Sequence, residues 1–277
     1  MPQLKNVILL TRASECQYYC ANQLFLKGYL THLILEEGSS SIIRKKTFSD
    51  YFAVLTLVFR HPLQAGWKVF NGMMERKYFG RQEFHNKRIL SESYKVLDEN
   101  ITSHAVSNIN SHEVLDLIKS INPEIILVFG TAMISKDIIA QITCPMINLH
   151  WGLSPKYRGE GIVSALYQEG TGDLGVTVHH IDAKSDSGDI IMQRKINVDE
   201  EENFYSIGCR LTKAGTELFL LVLDQFFTKQ ALKCDKQDLT KGKLYSTHFM
   251  WAHPDWKWKA YQRLKKEYSN HVHQNTN

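Results

Sequence analysis

Short, unbroken apolar runs alternate along the chain with stretches whose apolar residues recur at helical spacing. Residues 7–10 (Val-Ile-Leu-Leu) and 125–129 (Ile-Ile-Leu-Val-Phe) are runs of the first kind, as expected of strands buried on both faces, and 146–150 (Met-Ile-Asn-Leu-His) reads as a further strand. Residues 15–27 fit a helix, Gly28 stops it, and 30–35 supplies a second strand. Strand, helix, strand at this spacing predicts a βαβ unit and hence a parallel sheet. Residues 111–121 predict another helix, with Ser111 as cap and Val114, Leu115, Leu117 and Ile118 as its apolar positions, ended by Asn122 and Pro123. A short helix is expected over 135–141, and strands over 175–181 and 189–198, where apolar and polar residues alternate. The loop 182–188 between those strands holds Asp182, Asp186 and Gly188. Beyond it, 206–227 reads as a strongly apolar helix, 231–234 and 243–247 as a small hairpin, and 271–277 as a disordered tail.

This pattern divides the chain into an α/β domain with a mostly parallel sheet, residues 1–205, and a C-terminal helix, hairpin and tail, residues 206–277. Within the first, 39–90 stands apart, because Arg44, Lys45, Arg60, Lys68, Arg76 and Lys87 are interleaved with Phe48, Tyr51, Phe59, Trp67 and Tyr78. The mixture fits a mainly helical insertion with its aromatic face on the core, or a nucleic-acid or membrane surface; the first arrangement is the commoner. The helix around Leu218 and Phe227 offers more apolar surface than a thin extension buries, so a homodimer is expected.

Composition adds limits rather than an answer. A hydrophobic fraction of 43% and a charged fraction of 22% over 277 residues belong to an ordinary globular protein. The net charge of +4 suits an anionic small substrate or a weak nucleic-acid contact and selects neither. The cysteines, Cys16, Cys20, Cys144, Cys209 and Cys234, are scattered and odd in number, as in a reducing compartment. Cys16 and Cys20 lie one helical turn apart and are expected to pack. The N-terminus lacks signal-peptide organisation, and the densest apolar stretch, 51–59, is shorter than the roughly 20 residues of a membrane helix, so a cytoplasmic location without membrane insertion is expected.

In open parallel sheets, ligands sit beyond the carboxyl ends of the strands, and Gly130 and His150 both fall at such ends. Residues 147–159 read Ile-Asn-Leu-His-Trp-Gly-Leu-Ser-Pro-Lys-Tyr-Arg-Gly. The strand 175–179, Gly-Val-Thr-Val-His, leads into Asp186-Ser-Gly188, which begins thirty-six residues after His150. Asn-x-His at a strand end, Pro-x-x-Arg-Gly, and an Asp-x-Gly loop at this distance resemble the signature of the folate-dependent formyltransferases. That resemblance implies a Rossmann-like formyltransferase sheet and transfer of a formyl group from 10-formyltetrahydrofolate to an amine, with no metal. It puts catalytic roles on Asn148, His150 and Asp186, and a pterin-pocket wall on 125–134. Phe129, Gly130, Met133, Ile134 and Asp182 are then the folate-binding candidates, and Trp151, Lys156, Tyr157 and Arg158 the acceptor-binding ones. Where the family often has Ser-Leu-Leu-Pro after the histidine, this chain has Trp151-Gly-Leu-Ser-Pro155.

The residue types suit the chemistry. The Asn148 amide and a His150 N–H are donors for the oxyanion that forms on the formyl oxygen. Asp186, expected in a solvent-reachable loop, can fix the His150 tautomer or relay a proton through water. His179 and His180 face opposite ways on their strand, and neither receives a role. Among acceptors, the phosphate-binding glycine turn of the purine-pathway branch is missing at 11–15 (Thr-Arg-Ala-Ser-Glu). The methionyl-tRNA branch carries a C-terminal barrel for which the residues after Ser206 are too few, and the hydrolase branch carries an N-terminal regulatory domain. A nucleotide-linked amino sugar is therefore the expected acceptor, with no nucleic acid as partner. A binding module on the same fold is the non-enzymatic alternative.

Overall fold

The computed structural model describes residues 5–37, 88–91, 94–198, 202–229, 232–246, 249, 253 and 255–274. The expected helical insertion 39–90 therefore lies outside the described residues except at its end. In chain order the elements are β1 (Val7–Arg12), α1 (Glu15–Leu26), β2 (Leu30–Glu36), β3 (Thr102–Val106), α2 (His112–Ile121), β4 (Ile125–Phe129), α3 (Lys136–Ile139) and β5 (Met146–His150). They continue with β6 (Tyr157–Gly159), α4 (Gly161–Gln168), β7 (Gly175–His180), β8 (Ile190–Lys195), α5 (Phe204–Lys229), β9 (Lys243–Tyr245) and α6 (Asp255–Gln274).

Seven strands form one sheet in the order β3-β2-β1-β4-β5-β7-β8. The first five run parallel, while β7 and β8 are antiparallel to their neighbours. The fold class expected from the apolar runs is the one observed. Period-two alternation explains how β1 is buried on both faces: Val7 and Leu9 belong to one apolar cluster, Ile8 and Leu10 to the other. The chain winds outward from β1 to β3 and returns to place β4 on the other side of β1. This reversal opens a crevice at the carboxyl ends of β1 and β4, where the Thr11 hydroxyl donates to the Phe129 carbonyl at 2.6 Å.

Local signals set the helix ends that frame the crevice. Ser111 Oγ accepts from the Val114 amide at 3.3 Å, and Asn122 closes α2 in the left-handed conformation. Ser135 caps α3 in the same way, accepting from Ile138 at 3.4 Å. Cys16 and Cys20 are buried in the core, and none of the five cysteines forms a disulfide.

The C-terminal part differs from the expectation. β9 pairs in parallel with β6 rather than within a hairpin, and Asp235 bridges Ile190 of β8. Asp235 and Ile190 exchange both backbone hydrogen bonds, at 2.7 and 2.8 Å. Partners already on the main domain satisfy these short segments better than an isolated two-strand ribbon, which is marginal in water. Residues 271–274, expected to be disordered, continue α6. The apolar side of α5 is buried within the chain through Leu218, Phe219, Val222 and Leu223, leaving Leu221 exposed; the surplus surface that suggested a dimer is mostly covered. Among the described residues, no helix is long and apolar enough to cross a membrane.

Candidate active site

Asn148 and His150 lie two residues apart on β5, hence on the same face of the strand. Directly across the antiparallel register, Asn148 is paired with His179 of β7. The loop after β7 then turns through Asp186, a non-glycine residue at φ 49°, and brings its carboxylate into the group. Asn148 Nδ2 donates to Asp186 Oδ1 at 3.2 Å and lies 3.2 Å from His179 Nε2. Asp186 Oδ1 is 3.4 Å from His179 Nε2, Oδ2 is 3.5 Å from His150 Nδ1, and the Gly159 amide donates to Oδ2 at 2.9 Å.

These contacts set the electrostatics. Burial alone would raise the Asp186 carboxyl, but the His150 and His179 imidazoles and the Gly159 amide outweigh it and hold the group well below the usual carboxylate range. The side chain is only 13% exposed, so Asp186 is not the solvent-reachable loop residue expected; its turn folds inward to meet β5. The ring of His179 is oriented by its own strand, with Nδ1 2.7 Å from the His180 carbonyl. Nδ1 therefore carries the proton, and in the neutral ring Nε2 accepts from Asn148. His150 is fixed differently from the expectation. Its Nε2 lies 2.6 Å from the Tyr157 carbonyl, a closer partner than Asp186, so the backbone sets which nitrogen is the donor.

The departure Trp151-Gly152 accounts for that contact. A Cβ on Gly152 would lie 2.4 Å from His150 Nε2 and 2.5 Å from the Tyr157 carbonyl, so only glycine lets the two meet. The displaced bulk is Trp151, which packs edge-on against Phe129 at 5.7 Å and leaves its indole nitrogen buried without a hydrogen-bond partner.

A cavity of about 400 Å³ contains the group. It is lined by Asn148, His150 and Asp186 together with Phe129, Gly130, Met133, Ile134 and Asp182, all eight from the sequence reading, and by His179, which that reading left without a role. A second cavity of about 490 Å³ adjoins it, with Gln17, Trp151, Gly159 and Glu160 lining both. Glu15, Tyr205 and Lys257 supply polar groups to the second. Of the acceptor candidates, Trp151 stands between the two cavities, whereas Lys156, Tyr157 and Arg158 line neither. Lys156 and the Tyr157 hydroxyl are engaged with Asp173, at 2.6 and 3.0 Å. Burial of the Tyr157 ring pushes its hydroxyl up to about 12. The signal for His179 was the alternation of its strand, but the register that sets it opposite Asn148 is tertiary information. Gln17 and Glu160 carried no motif.

Comparison with known proteins bears on the family and the fold. The methionyl-tRNA formyltransferase of Chlorobium chlorochromatii (strain CaD3) is 26% identical over 160 residues, covering 56% of this chain and 51% of the relative. The corresponding protein of Sulfurihydrogenibium sp. (strain YO3AOP1) is 32% identical over 117 residues, 42% of this chain and 38% of the relative. The chain thus spans about half the length, or less, of these curated relatives. In fold it is similar to a 4-N formyltransferase from Francisella tularensis, with a TM-score of 0.56, 14% identity, and coverage of 94% of this chain and 88% of that one. It is also similar to a phosphoribosylglycinamide formyltransferase from Bacillus halodurans, with a TM-score of 0.52, 16% identity, and coverage of 82% and 97%. A family model described as formyl transferase matches residues 74–223, more than half of the sequence. By that match the chain belongs to the formyl transferase family.

Proposed function

We propose that the chain transfers a formyl group from 10-formyltetrahydrofolate to the amine of a nucleotide-linked amino sugar, with Asn148, His150 and Asp186 at the reaction centre and His179 acting with them. The observation that carries this reading is the convergence of these four side chains on one cavity walled by Phe129, Gly130 and Ile134. The reaction joins the amine nitrogen to the formyl carbon and breaks the bond from that carbon to the folate nitrogen. The amine loses one proton, and the departing folate nitrogen gains one.

The chain's own groups suit that traffic. Asp186, held ionised by its neighbours, attracts the proton shed by the amine and passes it on along the His150 and His179 edges. His179 couples the proton to the oxyanion. While neutral at Nε2 it occupies an Asn148 N–H; once protonated there it becomes a donor to Asp186 Oδ1, 3.4 Å away. The Asn148 hydrogen is then released toward the developing oxyanion, when the charge needs it.

The second cavity supports this choice of acceptor. Glu160, on the wall shared by the two cavities, carries a carboxylate that attracts an ammonium. The turn after β1, Thr-Arg-Ala-Ser-Glu, lacks the glycines that let backbone amides cradle a phosphate. The test is an acceptor screen measuring tetrahydrofolate release with dTDP-, UDP- and GDP-linked amino sugars, charged initiator methionyl-tRNA, and no acceptor. Formylation of one of the sugars supports the reading. Turnover with the tRNA, or equal turnover without acceptor, replaces it.

A further inference from the structure

We infer that Gln237 is a positioning residue for the reaction centre, holding the Asp186 turn from a segment outside the matched family region; this rests on the proposed reading of Asn148, His150 and Asp186. Gln237 lies fourteen residues beyond Leu223, where the family match ends, so it belongs to the C-terminal strap. Its side-chain amide nitrogen donates to the Asp186 carbonyl at 3.2 Å and also to the Gly188 carbonyl. One NH2 group thereby clamps both ends of the Asp186-Ser-Gly188 turn from behind, while the Asp186 carboxylate faces forward to His150, His179 and Gly159.

The turn needs such a clamp. Asp186 sits at φ 49°, a conformation L-residues adopt only when neighbours fix it. Its two oxygens must reach Asn148, both imidazoles and the Gly159 amide together, so a small rotation of the turn breaks several contacts. The strap is itself anchored, two residues before Gln237, by the double hydrogen bond between Asp235 and Ile190. The choice of glutamine is telling. Gln237 is buried, and its Oε1 has no hydrogen-bond partner. Methionine or leucine would fill the space without an unsatisfied acceptor; what they lack is the pair of donors aimed at the turn.

The test compares Q237M, which keeps the shape and removes both donors, with Q237E, which has no donor when ionised and one when protonated. D186N is measured alongside. In protein labelled with 15N-histidine, the imidazole signals of His150 and His179, assigned by substitution, report the position of the Asp186 carboxylate without any acceptor. Q237M should displace both signals and lower kcat at least tenfold with the acceptor the screen selects, while KM for the folate changes less than about threefold. Q237E should gain activity relative to the unsubstituted protein as pH falls, because protonation restores one donor. Unchanged signals and kcat in Q237M, or a lowered Tm alone, overturn the inference. If Q237M does not fold, a flat relative pH profile for Q237E overturns it. Normal turnover in D186N removes the reading of the reaction centre itself, whereas impaired D186N beside normal Q237M removes only the role of Gln237.

Discussion

Two carboxylates at the carboxyl ends of the strands, Glu36 closing β2 and Asp186 in the loop between β7 and β8, are both held below the usual carboxylate range, yet by different partners. Against burial, which would raise it, Glu36 is stabilised by the Ala132 and Ile109 amides and by the Arg12 guanidinium, at 2.8, 3.2 and 3.0 Å. None of those donors gives up its proton near neutral pH. Asp186 shares its pocket chiefly with two imidazoles, which can. The direction of a shifted pKa therefore does not distinguish a clip from a proton relay; the chemistry of the surrounding donors does. Glu36 ties β2 to the wall of the cavity through Ala132, whereas Asp186 meets two groups that can exchange a proton near neutral pH.

This contrast can be broken or sharpened by substitution, beginning with the largest effect. N148A, H150A and D186N should each lower kcat by roughly 100- to 1,000-fold, with folate affinity little changed; steady-state kinetics decides, and near-normal turnover in all three would mean that the motif marks only a fold. Next comes G159A. Gly159 has φ 81°, and an added Cβ would lie 2.4 Å from the Tyr245 carbonyl. The change should destabilise by about 2–4 kcal/mol and, by moving the amide that donates to Asp186, depress turnover in the fraction that stays folded, as paired melting and kinetic measurements would reveal. E36Q should show the opposite balance to D186N. Exchanging an acceptor oxygen for NH2 leaves a buried amide unsatisfied, costing about 1–3 kcal/mol, while kcat falls less than about tenfold and KM for the folate rises as the 130–134 wall loosens.

The smallest effect is in acid. Both carboxyls have folded-state values below their unfolded ones. The stability they contribute is fully present above the unfolded range, near pH 4, and is lost as pH falls through and below it. The Tm of E36Q and of D186N should therefore decline less steeply in that window than that of the unsubstituted protein; parallel curves would contradict the assignment of both shifts.

What the sequence disclosed follows from how much of each feature is local. β1 and β4 were legible because strands buried on both faces are apolar along their length. β3, Thr-Ser-His-Ala-Val, escaped notice because an edge strand with exposed positions carries no such run. β6, three residues long, is too short for any periodicity, and β9, expected within 243–247, finds its partner in β6 rather than in 231–234. α6 was read as a tail because its polar side outweighs Ala260, Tyr261 and Leu264, which pack into the core. At the site, Asn148, His150 and Asp186 stood out by the resemblance of their motif to the formyltransferase signature. The register of His179 with Asn148 is tertiary information, as is the pull of Asp173 on Lys156 and Tyr157, which line neither cavity.

The pairing of Tyr157–Gly159 with Lys243–Tyr245 also bears on how the protein is made. Synthesis runs from the N-terminus, so β6 leaves the ribosome on the order of ten seconds before β9 exists to pair with it. Until then the Gly159 amide, which steadies the Asp186 carboxylate, belongs to a stub with no neighbouring strand. The central sheet can collapse early around its apolar runs, but the Asp186 pocket is braced only once Lys243–Tyr245 has been made. A chain cut short before Lys243 would retain every residue of the recognisable motif and still lack the strand that braces it.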